Sequence, residues 1–557
     1  MPGHFLHRTT SSGSHRTLSS FITTISRSSS PDSKAPIISS SKPVEEETLP
    51  KYSPQVFYAA RIGEKLNDRY EIVAKLGYGM TATVWLAKDL HAGSAADAKK
   101  YVTIKINVNT LTPDFLKGRR EIARKLLLTN KSHPGYSHVR FMLETFSIKS
   151  KYGEHLCIVY DVLREPIDDC MNKMPNQLFS SDKLRKLLPA LLTGLDYMHS
   201  ECHVVHTDLK PDNIMMGLGK DPNAILDKFV ANQIAFPPAR KAPDSHDGHI
   251  IYKSSSDLLL VGENSKNDSI TDEVLASAKI TDIGLAEWGD RGPQHKAIQS
   301  NAFTCPEVLL GAGWSYPADI WNLGVMMWDL IEPMGLFDLI DTSPGRYHAD
   351  QHLALMISLL GSPPKALLDR GLKTGQYFDF DTETKEYKFK NQKLISKYKD
   401  CIGFEQSVTH MQGENKESFI DFAKKMVAWL PEERWTAAQL LEHPWLKVRP
   451  GSVICTSQDF AEAHRTISRS AEKDAEIEKL RESTETNGVT SSKASIASSS
   501  QYTDAEDYFT RHGTYSSNSG LETPPRQGIS HRSTNTSIMS LEGIKNTLPS
   551  ITLTPSK

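Results

Sequence analysis

The sequence predicts an α+β chain of two unequal lobes, a small antiparallel β-rich lobe with one key helix followed by a larger, mainly helical lobe. Three observations predict it. Strand-like segments cluster between residues 70 and 162, helical periodicity takes over after Asp161, and both ends of the chain are too polar to build a core.

The β-rich part is read from YEIVAKL at 70–76, TATVWLAKD at 81–89, YVTIKIN at 101–107 and LCIVYDVL at 156–163, all alternating or rich in β-branched residues. The one early helical pattern is RREIARKLLL at 119–128. In the second part Leu184, Leu187, Leu188, Leu191, Leu192, Leu195 and Met198 recur at the spacing of a core-facing helix. Residues 1–50 are rich in Ser, Thr and Arg and residues 448–557 in Ser and Thr, so both are expected to be disordered tails. Residues 51–69 form an extension expected to pack on the small lobe, which covers 70–160; the large lobe covers 161–447. Within it, 217–277 is polar, with PPARKAPDSHDGH at its centre, and is expected to be an inserted spacer without chemistry of its own.

Composition narrows the function. The chain has 557 residues, 38% of them hydrophobic and 24% charged, and a formal charge of -2, so no global field points to nucleic acid or to an anionic membrane. The six cysteines are scattered without a Cys-x-x-Cys pair, which fits a reducing compartment. No apolar run approaches the roughly 20 residues that span a bilayer. A monomer in the cytoplasm and nucleus is expected. The acid-free first 31 residues, with Arg8, Arg16 and Arg27, also have the composition of a mitochondrial presequence, the minor alternative for location.

Leu76-Gly77-Tyr78-Gly79-Met80-Thr81-Ala82-Thr83-Val84 is a glycine-rich stretch between two strand-like segments, hence a hairpin. A dinucleotide fingerprint would need a helix after it. Glycines there allow backbone N–H groups to approach phosphate oxygens. Lys105 stands in an apolar strand, and Glu121 on the early helix offers it a carboxylate, the pair that positions ATP phosphates. In His206-Thr207-Asp208-Leu209-Lys210-Pro211-Asp212-Asn213, Asp208 can take a hydroxyl proton, Lys210 can neutralise a transferring phosphoryl group, and Asn213 can hold a metal ion. Asp282, in an Ile-Thr-Asp-Ile-Gly run, is the expected principal Mg²⁺ ligand. A zinc reading of His199, Cys202, His203 and His206 is disfavoured, because they straddle a helix end and a strand. Glu307 and Arg434 are expected to form a buried pair and, with Asp319, to serve structure rather than chemistry.

In this order the motifs resemble the eukaryotic protein kinase family over Tyr70 to Leu446, which implies the bilobal protein kinase fold. Lysine two residues after Asp208 resembles the serine/threonine branch. The resemblance implies Asp208, Lys210, Lys105 and Glu121 as catalytic residues, ATP and Mg²⁺ as cofactors, and Asn213 and Asp282 as metal ligands. It implies that residues 76–84, Lys105, Tyr160, Asp161 and Leu163 bind ATP and that Ser300 orients the substrate. Within the family, KYSPQVFYAARIGEKLNDRYEIVAKLGYG at the entry, HTDLKP, the spacer before Asp282 and DQHLALMISLLGSPP resemble the SR-protein kinase group, especially its fungal-like members. Arg/Ser-rich splicing or RNA-processing proteins are then the implied substrates, with Asp338, Asp341, Asp350 and Asp369 as candidate docking acids. Thr207 replaces an arginine that in other members receives an activating phosphate, so constitutive activity is expected. Ala82, Ile283 and Cys305 depart from the family pattern by changes of packing, whereas Asn301 and Thr304 replace two arginines next to the substrate site. The alternative is a pseudokinase scaffold that binds nucleotide or partners without transfer. A small-molecule kinase would lack the segment from Ser300 to Glu307.

Overall fold

The computed structural model describes residues 35–50, 52–93, 98–111, 117–172, 174, 177–243, 248–255, 270–341, 346–399 and 403–447. The expected tail at 448–557 and the first 34 residues lie outside the described residues.

The small lobe is a six-stranded sheet. Its strands are β2 (Lys65–Leu66), β3 (Tyr70–Gly79), β4 (Ala82–Asp89), β5 (Tyr101–Asn107), β6 (Met142–Ser150) and β7 (Gly153–Tyr160), in spatial order β2-β3-β4-β5-β7-β6 and all antiparallel. Only Met80 and Thr81 separate β3 from β4, so the glycine-rich stretch is the tip of a hairpin. The helix α1 (Lys117–Leu128) lies between β5 and β6 and buries Ile122, Ala123 and Leu126.

In the large lobe, α2 (Ile167–Asn172) precedes α3 (Ser181–Asp196), whose start is capped by the Ser180 hydroxyl accepting from the Lys183 amide at 3.3 Å. Leu184, Leu187, Leu188, Leu191, Leu192 and Leu195 of α3 are all buried, as their spacing predicts. They pack in one core with α7 (Pro317–Ile331) and α8 (Ala349–Leu360). Short antiparallel pairs, β8 (Val204–Val205) with β12 (Glu287–Trp288) and β9 (Ile214–Met215) with β11 (Lys279–Ile280), clip the catalytic segments together.

Two expectations about the chain's organisation are corrected. The insert at 217–277 is not a structureless spacer. It opens with α4 (Pro222–Ala235), capped by Asp221 accepting from the Ala224 amide at 3.0 Å, with proline at its first position. Leu226 and Phe229 of α4 bury against Ala74, Leu86 and Tyr101 of the sheet. Further on, Ile250 and Tyr252 join the cluster of Ile72, Trp85, Val102 and Ile104. Nor is 35–50 a solvated tail. There β1 (Ile37–Ile38) pairs in parallel with β10 (Arg240–Lys241) of the insert, and Glu45 and Glu46 are buried at 8% and 3% exposure. Carboxylates are almost never so buried without a partner, and Lys75 of β3 supplies one. Among the described residues no helix is long and apolar enough to cross a membrane.

Candidate active site

A cleft between the lobes is walled by Leu76, Gly77 and Val84 from the hairpin, Lys105 from β5, Tyr160 at the end of β7, Leu163 from the segment that joins the lobes, and Asn213 and Asp282 from below. The fold thus brings together eight of the predicted residues. Tyr78, Gly79, Met80, Thr81, Ala82 and Thr83 lie beyond these walls, at the hairpin tip or, for Thr83, turned to accept a hydrogen bond from the Trp85 indole at 2.9 Å. Asp161 is also outside them, its carboxylate paired with Lys99 at 2.5 Å.

Below the cleft, the Asp208 carboxylate meets the Lys210 ammonium at 3.1 Å, and the Asn213 amide donates to the Asp208 carbonyl at 2.8 Å and its carboxylate at 3.3 Å. Burial acts to lower the Lys210 ammonium's pKa, but Asp208, Asp212 and Asp282 outweigh it and hold the group above its ordinary value. Partial desolvation in the cleft raises the Asp282 carboxyl, yet Lys105, His206 and Lys210 together pull it below the usual range. The reacting groups therefore carry opposite charges stabilised by one another.

The loop is held from behind by Asp319, whose buried carboxylate accepts from the amides of His206 at 2.7 Å and Thr207 at 2.8 Å and meets His199 Nε2 at 2.8 Å. Thr207 sits at φ 72°, a left-handed conformation costly for a β-branched residue, and its hydroxyl donates to the Leu285 carbonyl at 2.8 Å. Asp282 is likewise left-handed at φ 58°. Two such left-handed residues, one lining the cleft and one in the loop that carries Asp208, are what a pre-organised site displays. Glu307 and Arg434 form the expected buried pair, joined by two bonds of 2.7 Å, and Arg434 also donates to the Pro317 carbonyl at 3.0 Å. Of the residues weighed for zinc, His199 Nε2 meets Asp319 and His206 Nε2 lies 2.8 Å from the Thr281 carbonyl.

The protein kinase domain family matches residues 70–234 and 258–446. The chain belongs to the protein kinase family. Over 415 residues the kinase is 32% identical to a serine/threonine protein kinase of Aspergillus fumigatus, a match covering 74% of this chain and 93% of the relative. It is 27% identical over 421 residues to the serine/threonine-protein kinase SRPK of Physarum polycephalum, covering 72% of this chain and 91% of the relative. With protein kinase dsk1 of Schizosaccharomyces pombe it shares 24% identity over 480 residues, covering 72% and 85%. It is a protein serine/threonine kinase.

Besides those outside the cleft walls, two predicted residues of the kinase with expected roles beside Lys105 and Asp208 are not brought to them. Glu121 is exposed on α1, and no ion pair joins it to Lys105, because α1 turns the adjacent Ile122 and Ala123 into the core and Glu121 away from it. Ser300 is half-buried, and its enclosed hydroxyl oxygen has no hydrogen-bond partner, so it meets neither Asp208 nor Lys210. Among the lining residues that sequence reasoning missed are Arg140 and Ser255. Arg140 donates to the Asp161 carbonyl at 2.8 Å and lies 4.8 Å from the Tyr160 ring, fixing the segment that joins the lobes. Ser255 reaches the cleft from the insert. Neither stands in a motif, and only the contact reveals them.

Proposed function

We propose that the kinase transfers the γ-phosphoryl group of Mg-ATP to Ser and Thr hydroxyls of proteins, with Asp208 as base. The Asp208–Lys210–Asn213 constellation is the observation that carries this reading. As the substrate oxygen bonds to the γ-phosphorus, the bond to the β,γ-bridging oxygen breaks, ADP leaves, and the hydroxyl proton passes to Asp208. Lys210 then faces the charge that spreads over the transferring group. Asn213 and Asp282 offer oxygen donors suited to Mg²⁺, and the lowered pKa of Asp282 keeps its carboxyl ionised for that role. Bound there, the ion would neutralise charge on the phosphates. Lys105, whose charge lowers the Asp282 pKa, is placed to meet the same phosphates.

Arg/Ser-rich proteins are the substrate class this reading favours, on the strength of the SRPK relative and the shared entry and insert motifs. The four acids considered for docking have local partners: Asp341 pairs with Arg346 at 3.6 Å, Asp369 with Lys365 at 2.5 Å, Asp350 accepts from Asn391 at 3.1 Å and Asp338 from the Gly335 amide at 2.6 Å. An arginine-rich peptide would have to exchange with those partners, so we place specificity in competition at this face rather than in a vacant acidic groove. A cytoplasmic and nuclear location follows from the same reading. The test is a Mg-ATP transfer assay on matched peptides with and without arginines around the serine. Asp208→Ala should lower kcat about 10²- to 10⁴-fold while leaving nucleotide binding intact. Equal transfer by both proteins would establish the scaffold instead, and equal rates on both peptides would exclude the Arg/Ser preference.

A further inference from the structure

The phosphate-covering hairpin has a weak point. The β3–β4 ladder skips Leu76 where the chain enters the glycine-rich turn, a shift of register that begins at Lys75. At that residue the rest of the molecule intervenes. The Lys75 carbonyl accepts from the Ser255 amide of the insert at 2.8 Å. Its ammonium, fully buried, donates to the Glu46 carboxylate and, at 3.1 Å, to the Tyr252 carbonyl. Glu45 stands 3.7 Å away and itself accepts from the Ser254 hydroxyl at 2.5 Å. The Lys75 ammonium also lies 5.3 Å from the ring of Tyr78, the residue between the two glycines. The segment 35–50, the insert and the hairpin are thus joined at one side chain, and Ser255 continues into the nucleotide cleft.

We propose that Glu46, acting through Lys75, is a positioning residue for nucleotide binding, so that the segment 35–50 and the insert form part of this kinase's nucleotide site. The proposal rests on the reading of residues 76–84 as the loop over the ATP phosphates. A buried ion pair serving only stability would set the melting temperature and leave nucleotide affinity alone. A pair that aims the hairpin changes affinity for every nucleotide carrying phosphates and leaves the chemical step and the peptide site unchanged.

Two measurements on the full chain separate these cases: the KM for ATP in the transfer assay, and the Kd for ADP by isothermal titration calorimetry, which does not depend on transfer. Glu46→Gln should raise both by about fivefold or more, with kcat and peptide KM within about twofold of the unaltered protein. Glu46→Asp, which keeps the charge, should recover most of the loss. Ser254→Ala, at a half-exposed position where folding is not at stake, should raise both constants about twofold by loosening Glu45. If Glu46→Gln does not fold, Ser254→Ala and Glu46→Asp decide. Unchanged ATP and ADP constants in variants whose melting temperature has fallen would overturn the inference and leave Glu46 a structural residue. Failure of the unaltered protein to bind ADP at all would overturn both this inference and the reading of the hairpin.

Discussion

His352 shows how far a single side chain can tie stability to pH. It is fully buried in α8, its Nδ1 3.0 Å from the Tyr347 hydroxyl and its ring 4.7 Å from that of Phe337, with no charged group against it. Desolvation pushes its pKa from 6.5 down to about 3. Between those values the unfolded chain binds a proton that the folded one refuses. This contribution to stability is complete above pH 6.5 and is lost progressively as the pH falls towards 3. The kinase should accordingly lose about 2 kcal/mol from this residue between pH 7 and pH 5. Denaturation at both pH values should show that difference shrinking by about that amount in His352→Gln; an equal loss in both proteins would show that other groups carry it. The reactive residues were readable because their chemistry demands fixed types at fixed spacing, as in Asp208, Lys210 and Asn213. The placements of Glu121 and Ser300 were not, because they depend on how α1 and the segment at 300 turn in space.

At the scale of elements the insert departs furthest from its sequence. Its apolar residues are few and widely separated, so 217–277 reads as polar, yet Phe229 is fully buried beneath the sheet and Asp227 binds the Tyr101 hydroxyl at 2.8 Å and Lys100 at 3.0 Å. The long polar stretches around α4 drown a two-residue anchor that only its contacts disclose. Phe229→Ala should therefore destabilise the small lobe by about 3–5 kcal/mol, whereas a merely tethered spacer would tolerate the change within about 0.5 kcal/mol. Thermal or chemical denaturation of the full chain decides between them. The triplet Glu45-Glu46-Glu47 was equally opaque. Acidic side chains next to a Ser-rich stretch look solvated, and the lysines that receive them, Lys75 and Lys241, belong to other parts of the chain. By contrast the hairpin, β5 and α3 were legible because their periodicity reports burial directly.

Across the whole molecule the segment that follows Asp282 is tied back to the loop that carries Asp208. Thr207 holds the Leu285 carbonyl, the His203 carbonyl accepts from the Gly289 amide at 2.8 Å, and β8 pairs with β12. Exhaustive phosphatase treatment should leave kcat/KM within about twofold, with mass spectrometry confirming removal; a tenfold fall would show that phosphate does order the segment. The joint at Lys75 has a further consequence, in time rather than in space. Lys75 meets Tyr252 across 177 positions, and Glu45 meets Ser254 across 209. At about 5–20 residues per second of synthesis, roughly 9 to 35 s separate the emergence of the lysine from that of its last partner. Through that interval the first lobe has a buried-site cation with its enclosure unfinished, so the nascent kinase must wait for its second lobe to begin before its first can close.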